Sequence, residues 1–355
     1  MSDYFVSIEM ERAFSTTFHI KFVISPILHC ICFYCLIRET PQNQHEVRFF
    51  LMFLQIVVAV QDVVNDIMLE PIPLLPLPAA YFVGLGVRIG VPLNLILSLE
   101  VASSATMAVS IILCFLHKHQ TIIDDLSRLK MRKRVYHLLC FCCGCMCTFI
   151  FIAVLTSPSD FASSNRAIAT YKINITWIRQ RGPYMVLEKN LYTRAAGLLF
   201  LTNALISGIS TNAMYWHILH YLNNATSSGS VSTRNMIKRS VLALYIQLFA
   251  PSFFLGLPMV ICFLFLSTDT GDFMTCYVLC YILQLHSPAH SIVLLSITPA
   301  YRRFLLSFFP QRSRVKQHPY RSLPHLPRQI SHVFLHIGSA LHRLGIHRRP
   351  SISFE

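Results

Sequence analysis

The chain has 355 residues and a formal net charge of +14, with 54% of its residues hydrophobic and only 13% charged. Soluble domains carry about 25% charged residues, so a soluble fold of this size would lack the charge to cover its surface. Composition excludes an ordinary two-domain soluble protein and points to a basic membrane protein held against anionic headgroups.

The N-terminal MSDYFVSIEMERAFSTT carries Asp3, Glu9 and Glu11 and lacks the basic region and cleavage site of a secretory signal. It reads as an uncleaved extracellular segment, 1–17, with the first span acting as its own targeting signal. Crossing the ~30 Å hydrocarbon core takes about 20 apolar residues in a helix. Seven segments qualify: 18–37, 47–68, 90–116, 135–156, 196–219, 240–266 and 275–297. The predicted fold is an all-α integral membrane protein, a seven-transmembrane helix bundle over 18–297. The connection from Leu69 to Ala80 holds four prolines, which exclude a continuing helix and predict a stiff short loop. Pro251 and Pro258 in span six and Pro288 in span seven are expected bends. The segment 298–355 is a basic tail with two amphipathic helices, Tyr301 to Phe309 and Gln329 to Leu344, suited to a membrane surface.

Orientation follows from the basic residues of the connections. Eight Lys or Arg lie on the side of the N-terminus and 21 on the other, which predicts an extracellular N-terminus and a cytoplasmic C-terminus. The sequon Asn174-Ile175-Thr176 falls in an outer loop, so Asn174 is a candidate glycosylation site, whereas the sequon at Asn224 falls inside.

Ionisable residues inside spans cost at least about 2.5 kcal/mol each and so normally face the bundle interior. Asp62 and Asp66 share one face of span two, Glu100 lies in span three and His286 in span seven. At 1.5 Å per residue, Asp62, Glu100 and His286 fall roughly 9, 15 and 16 Å below the outer ends of their spans. They can share one polar layer, read either as a structural hydrogen-bonded network or as a ligand-binding site, with Lys21 the nearest countercharge. His286 and His290 have an HxxxH spacing, but Pro288 separates them and no third ligand is specified, so no metal or cofactor is expected. Five cysteines between Cys140 and Cys147 open span four and read first as buried packing thiols, then as palmitoylation sites. No cysteine lies in the outer loops proper, which rules out a disulfide there.

His117, Lys118 and His119 end span three, and Arg132, Lys133 and Arg134 close the same inner loop. Such residues either hold topology and touch lipid phosphate or form a docking face for an acidic partner. Nucleic acid would suit the charge of the tail, but the short stretch from Ala300 to Glu355, with five prolines, offers no fold to present it.

The sequence resembles the nematode serpentine chemoreceptors of the Str superfamily, class I (Sri) or class H (Srh). The residues that carry this are Asp62 with the proline-rich loop, Gly84-Leu85-Gly86, Lys118-His119-Gln120, and HSPAHSIVLLSITPAYRRFL from His286 to Leu305. Ala300 between Pro299 and Tyr301 favours class I. The resemblance implies a G-protein-coupled olfactory receptor of the plasma membrane, in sensory cilia. It would have no catalytic residues, and its partners would be a small-molecule odorant, a heterotrimeric G protein and membrane lipids. Ligand binding would then fall to Asp62, Asp66, Glu100 and His286, and G-protein coupling to His117, Lys118, His119, Arg132, Lys133 and Arg134. The alternatives are a seven-helix ligand-gated channel subunit or transporter, or an intramembrane metal-dependent hydrolase. The first conflicts with the orientation, and the last lacks a complete constellation.

Overall fold

The structure, a computed structural model, describes residues 6–40, 45–74, 79–125, 127–156, 161–171, 176–186, 191–224, 230–268 and 272–308. Helix α1 (Ile8–Arg38) starts well before the predicted residue 18. Ser7 caps it by accepting from the Met10 N–H at 3.1 Å, and Glu9 and Glu11 sit in the first turn, where the helix dipole favours acids. Helix α2 (His45–Val63) passes into a π-helical turn (Val64–Leu69). Then come β1 (Pro71–Pro73), β2 (Ala79–Phe82), α3 (Leu85–Arg88), α4 (Leu93–Ile122), α5 (Lys133–Leu155), α6 (Phe161–Tyr171) and β3 (Tyr184–Val186). The rest is helical: α7 (Leu191–Asn224), α8 (Val231–Pro251), a second π turn (Ser252–Gly256), α9 (Leu257–Thr268), α10 (Phe273–Gln284), α11 (His286–Ile297) and α12 (Pro299–Ser307).

Five described segments are long and apolar enough to cross a membrane: α1, α2 with its π turn, α4, α5, and α8 continued to Cys262. Helices α10 and α11 form a sixth, bent by 41°, and the 34-residue α7 covers the predicted fifth span. The breaks follow proline chemistry. A proline lacks an N–H and crowds the carbonyl four residues back; Pro288 thus disturbs Gln284, where α10 ends, and Pro258 disturbs Phe254, inside the second π turn.

Helix α4 packs against α2, α5, α7 and α8, and α11 packs against α1 and α8. The half of the bundle next to α12 closes around Leu36, Leu54, Phe115, Leu294 and Tyr301. Tyr301 anchors the first amphipathic tail helix, α12, by bonding Thr40 Oγ1 at 2.9 Å, while Phe304 stacks on Tyr34. The second amphipathic helix, Gln329 to Leu344, lies outside the described residues. Helix α5 buries none of its side chains. Its cysteines are partly or fully exposed, so the expectation of buried packing thiols fails there.

The all-α description needs one amendment. The proline-rich connection is a hairpin, with Ile72 opposite Tyr81 and β3 joining the far side of β2. Proline is tolerated because β1 is an edge strand whose outer side needs no ladder donors. The sheet shares a second core with Val6, Phe14, Phe18, Ile178 and Tyr277. Arg181 fastens it by donating to Val6 O and Glu11 Oε2, both at 2.8 Å, while Tyr81 donates to the same Glu11 oxygen at 2.8 Å. Burial pushes the Tyr81 phenol up, so it remains a donor.

Gly84 and Gly86 have a steric reason. A Cβ on Gly84 would stand 2.6 Å from the Leu69 carbonyl carbon and the Met68 oxygen, and one on Gly86 2.9 Å from Met68 Cα. The chain after β2 therefore seats directly against the π turn that carries Asp66. Glu70 ends that turn with φ +41, a left-handed conformation fixed by its N–H on Asn65 O and by Ser15 Oγ donating to its carboxylate. Gly84→Ala is expected to destabilise the protein by about 2 kcal/mol or more through backbone clash. Gly144→Ala, in open space on α5, should be neutral or stabilising. Thermal unfolding of the purified variants in lipid nanodiscs checks both.

Candidate functional site

On α1, Lys21, Ser25 and His29 follow at four-residue steps and so lie on one face, which turns inward; all three are buried. Opposite them, Asp62 closes α2 and Asp66 sits in the π turn. Lys21 Nζ lies 2.9 Å from Asp62 Oδ1 and 3.0 Å from Asp66 Oδ1. An ammonium of this kind, 6% exposed, is tolerable only because two carboxylates replace its water.

Asp62 is the better connected acid. Its Oδ2 accepts from His29 Nε2 at 2.9 Å and from Ser287 Oγ, so one carboxylate joins α1, α2 and α11. Gln55 donates to His29 Nδ1 at 2.6 Å, which puts the proton of the neutral imidazole on Nε2, facing Asp62. Asp66 Oδ1 also accepts from Asn65 Nδ2 at 3.1 Å. Glu100 reaches the network through Gln61, whose amide donates to Glu100 Oε1 at 3.3 Å and to Ser104 Oγ at 2.8 Å. His286, 1% exposed, donates from Nδ1 to Leu283 O at 2.8 Å.

The sequence-predicted residues are thus brought into one polar layer, although not in contact with one another. Among the described residues, several enclosed atoms of the layer have no hydrogen-bond partner: Asp66 Oδ2, Glu100 Oε2, Gln61 Oε1 and His286 Nε2. Groups left open in this way are costly unless something else satisfies them. Lys21 takes the countercharge position expected for it. His29, Gln55, Gln61 and Ser287 were missed, though the four-residue spacing of Lys21, Ser25 and His29 in an apolar run was a usable signal.

The inner candidates divide. Lys118 and His119 are buried, and His119 Nε2 meets His217 Nδ1 at 3.0 Å, which joins α4 to α7. The His117 ring lies 4.9 Å from that of Phe50. Arg132, Lys133 and Arg134, at the start of α5, are exposed. Lys130 closes the loop between them by donating to Gln120 O at 2.6 Å and Ile123 O at 3.0 Å. Asn174 lies outside the described residues, whereas Asn224 is exposed at the end of α7 and bonds His220 at 2.9 Å.

A bundle of long apolar helices that encloses a layer of acids, a lysine and histidines has the make-up of a polytopic membrane protein. The model of the family described as serpentine type 7TM GPCR chemoreceptor Srh matches residues 9–311. The chain belongs to that family: it is a seven-transmembrane, G-protein-coupled-receptor-type chemoreceptor of class H, and not an enzyme. Ala300, which favoured class I, therefore does not mark the subclass. No curated protein matches the chain.

His29→Phe removes the donor to Asp62 and the acceptor of Gln55, and is expected to lower unfolding stability by about 1.5–3 kcal/mol. His29→Gln, which keeps a donor, should recover a good part of this. Equal losses from both in thermal unfolding would mean that ring shape, not the hydrogen bond, matters at this position.

Proposed function

We propose that this chemoreceptor sits in the plasma membrane of sensory cilia with its N-terminus outside and its basic tail in the cytosol. There it binds a small environmental molecule in its outer half and activates a heterotrimeric G protein. Asp62, Asp66, Glu100 and His286 line the binding site, Asp62 mainly through its partners. The observation that carries this reading is the buried polar layer: four helices contribute to it, and its open atoms lack partners within the protein. A purely structural layer would be expected to satisfy its own groups.

Signalling is a shift between two arrangements of the helices, and a ligand drives it only by its differential affinity for them. The π turn after Pro251 and the 41° bend at Leu285 are the places where the sixth and seventh spans can pivot. The His119–His217 bond across the inner ends of α4 and α7 is a contact such a shift can break. Arg132, Lys133 and Arg134 present positive charge to an acidic G-protein surface and to lipid phosphates, while Lys118 and His119 act from within the helix packing.

Three measurements test this. Calcium imaging of cells expressing the receptor against an odorant panel should show responses that Glu100→Gln and His286→Gln each impair at normal surface expression. Losses fully explained by expression would remove the binding assignment. Replacing Arg132, Lys133 and Arg134 together by Gln should abolish G-protein activation with little change in ligand affinity, because the cluster lies ~25 Å or more from the outer site. Unchanged signalling would leave those charges a topological role only. For orientation, the mobility shift on deglycosylation should vanish with Asn174→Gln and persist with Asn224→Gln; the reverse pattern would invert the receptor.

A further inference from the structure

The open atoms around the two unpaired acids are mostly acceptors. Asp66 Oδ2 and Glu100 Oε2 are carboxylate oxygens and Gln61 Oε1 is an amide oxygen. His286 commits its Nδ1 proton to Leu283 O, so the neutral ring presents a bare lone pair at Nε2, on the edge turned away from its own backbone. All four accept hydrogen bonds. The Ser25 hydroxyl serves either way, and Gln284, at the bend, adds one amide that offers a donor as well as an acceptor.

Charge points in the same direction. Asp62, Asp66 and Glu100 stand against the single ammonium of Lys21, and Glu100 lies in electrostatic range of all three. Lys21 engages the Oδ1 atoms of both aspartates, and Asp66 Oδ2 and Glu100 Oε2 have no partner among the described residues. An uncompensated carboxylate in a low-dielectric interior is expensive; a proton relieves the charge alone, whereas a cation with several N–H donors relieves it and satisfies the neighbouring open acceptors as well. Among the described residues, no three His, Cys, Asp or Glu side chains are placed to hold a metal ion. An ammonium brings one positive charge and several N–H donors, which matches open acceptors that include two carboxylate oxygens. Beside them, Val64 and Ile96 are buried in an apolar cluster between the π turn and α4, with Met68 and Leu97 packed on it. Ile96 stands one helical turn before Glu100 and Val64 two residues before Asp66, so this apolar wall adjoins both acids.

We infer that the ligand is a small protonated amine, whose ammonium is held by Asp66 and Glu100 with His286 as a further acceptor and whose hydrocarbon part lies against the Val64–Ile96 cluster. This deepens the binding assignment made above and rests on it. A carboxylic acid would bring a fourth anion to the layer, and an alcohol or ketone would leave the excess charge where it is.

The test uses the full-length receptor in calcium imaging, with three series of matched chain length: primary alkylamines, alkanols and alkanoic acids. Surface display is measured through an extracellular epitope tag. Amines are expected to act at concentrations at least about tenfold lower than the matched alkanols, with acids inactive. Glu100→Gln, a shape-conserving change, should raise the effective amine concentration about tenfold or more at unchanged surface display. Asp66→Asn should act in the same direction, scored per displayed receptor.

Alkanols or acids as potent as amines would overturn the amine proposal; if Glu100→Gln still abolished those responses, the binding site itself would stand. Amine responses unaffected by either variant would overturn both. A displayed receptor that answers no amine, or that answers acidification alone, also overturns the proposal.

Discussion

Lys21 is enclosed with its Nζ at 2.9 Å from Asp62 and 3.0 Å from Asp66, and the packing of α1, α2 and α11 is arranged around that contact. It fixes the depth of α1 against α2, because the ammonium must reach both acids at once. Through His29 and Ser287 on Asp62 it also sets where α11 lies. The π turn follows from the same requirement: it carries Asp66 and Asn65, and its widened backbone is held in place by Glu70 and by the two glycines seated on Met68 and Leu69. Removing any one charge strands the others, which is why buried ionic clusters are fragile even when their net contribution is modest.

Above this layer the structure solves a second problem without covalent help. All twelve cysteines are free, so no disulfide ties these connections to one another. A strand ladder takes its place. Strand β2 belongs to the connection after span two and β3 to the one after span four, and Arg181 binds both to the N-terminal end of α1 through Glu11 and Val6. The indole of Trp177, 4.5 Å under the guanidinium, completes the clasp. A cap of this kind is reversible, and it couples the start of α1, hence the register of Lys21, to the outer loops.

The spans were legible in the sequence because a run of apolar residues has one meaning in lipid, and the family because its motifs lie at fixed places along those spans. Asp62, Asp66, Glu100 and His286 were legible because each is out of place where it stands. Their partners were harder to find. His29, Gln55 and Ser287 are ordinary polar residues until the packing of α1, α2 and α11 brings them together. The hairpin was hidden by its prolines, which correctly exclude helix but say nothing of an edge strand, and the two π turns leave no periodic trace. Lys118 and His119 read as surface charge because they adjoin a basic loop, yet α4 continues past the predicted end at residue 116 and buries them.

A double-mutant cycle on Lys21 and Asp62, read by thermal unfolding in nanodiscs, asks most directly whether the buried ion pair organises the receptor. Lys21→Met leaves two acids without a cation and Asp62→Asn leaves Lys21 and His29 short of an acceptor, so each alone should lose about 3–5 kcal/mol. The double variant should be no worse than the milder single, a coupling of about 3 kcal/mol or more. Losses that simply add would contradict the account, because they would mean that the two groups contribute separately and that the bundle does not depend on their meeting.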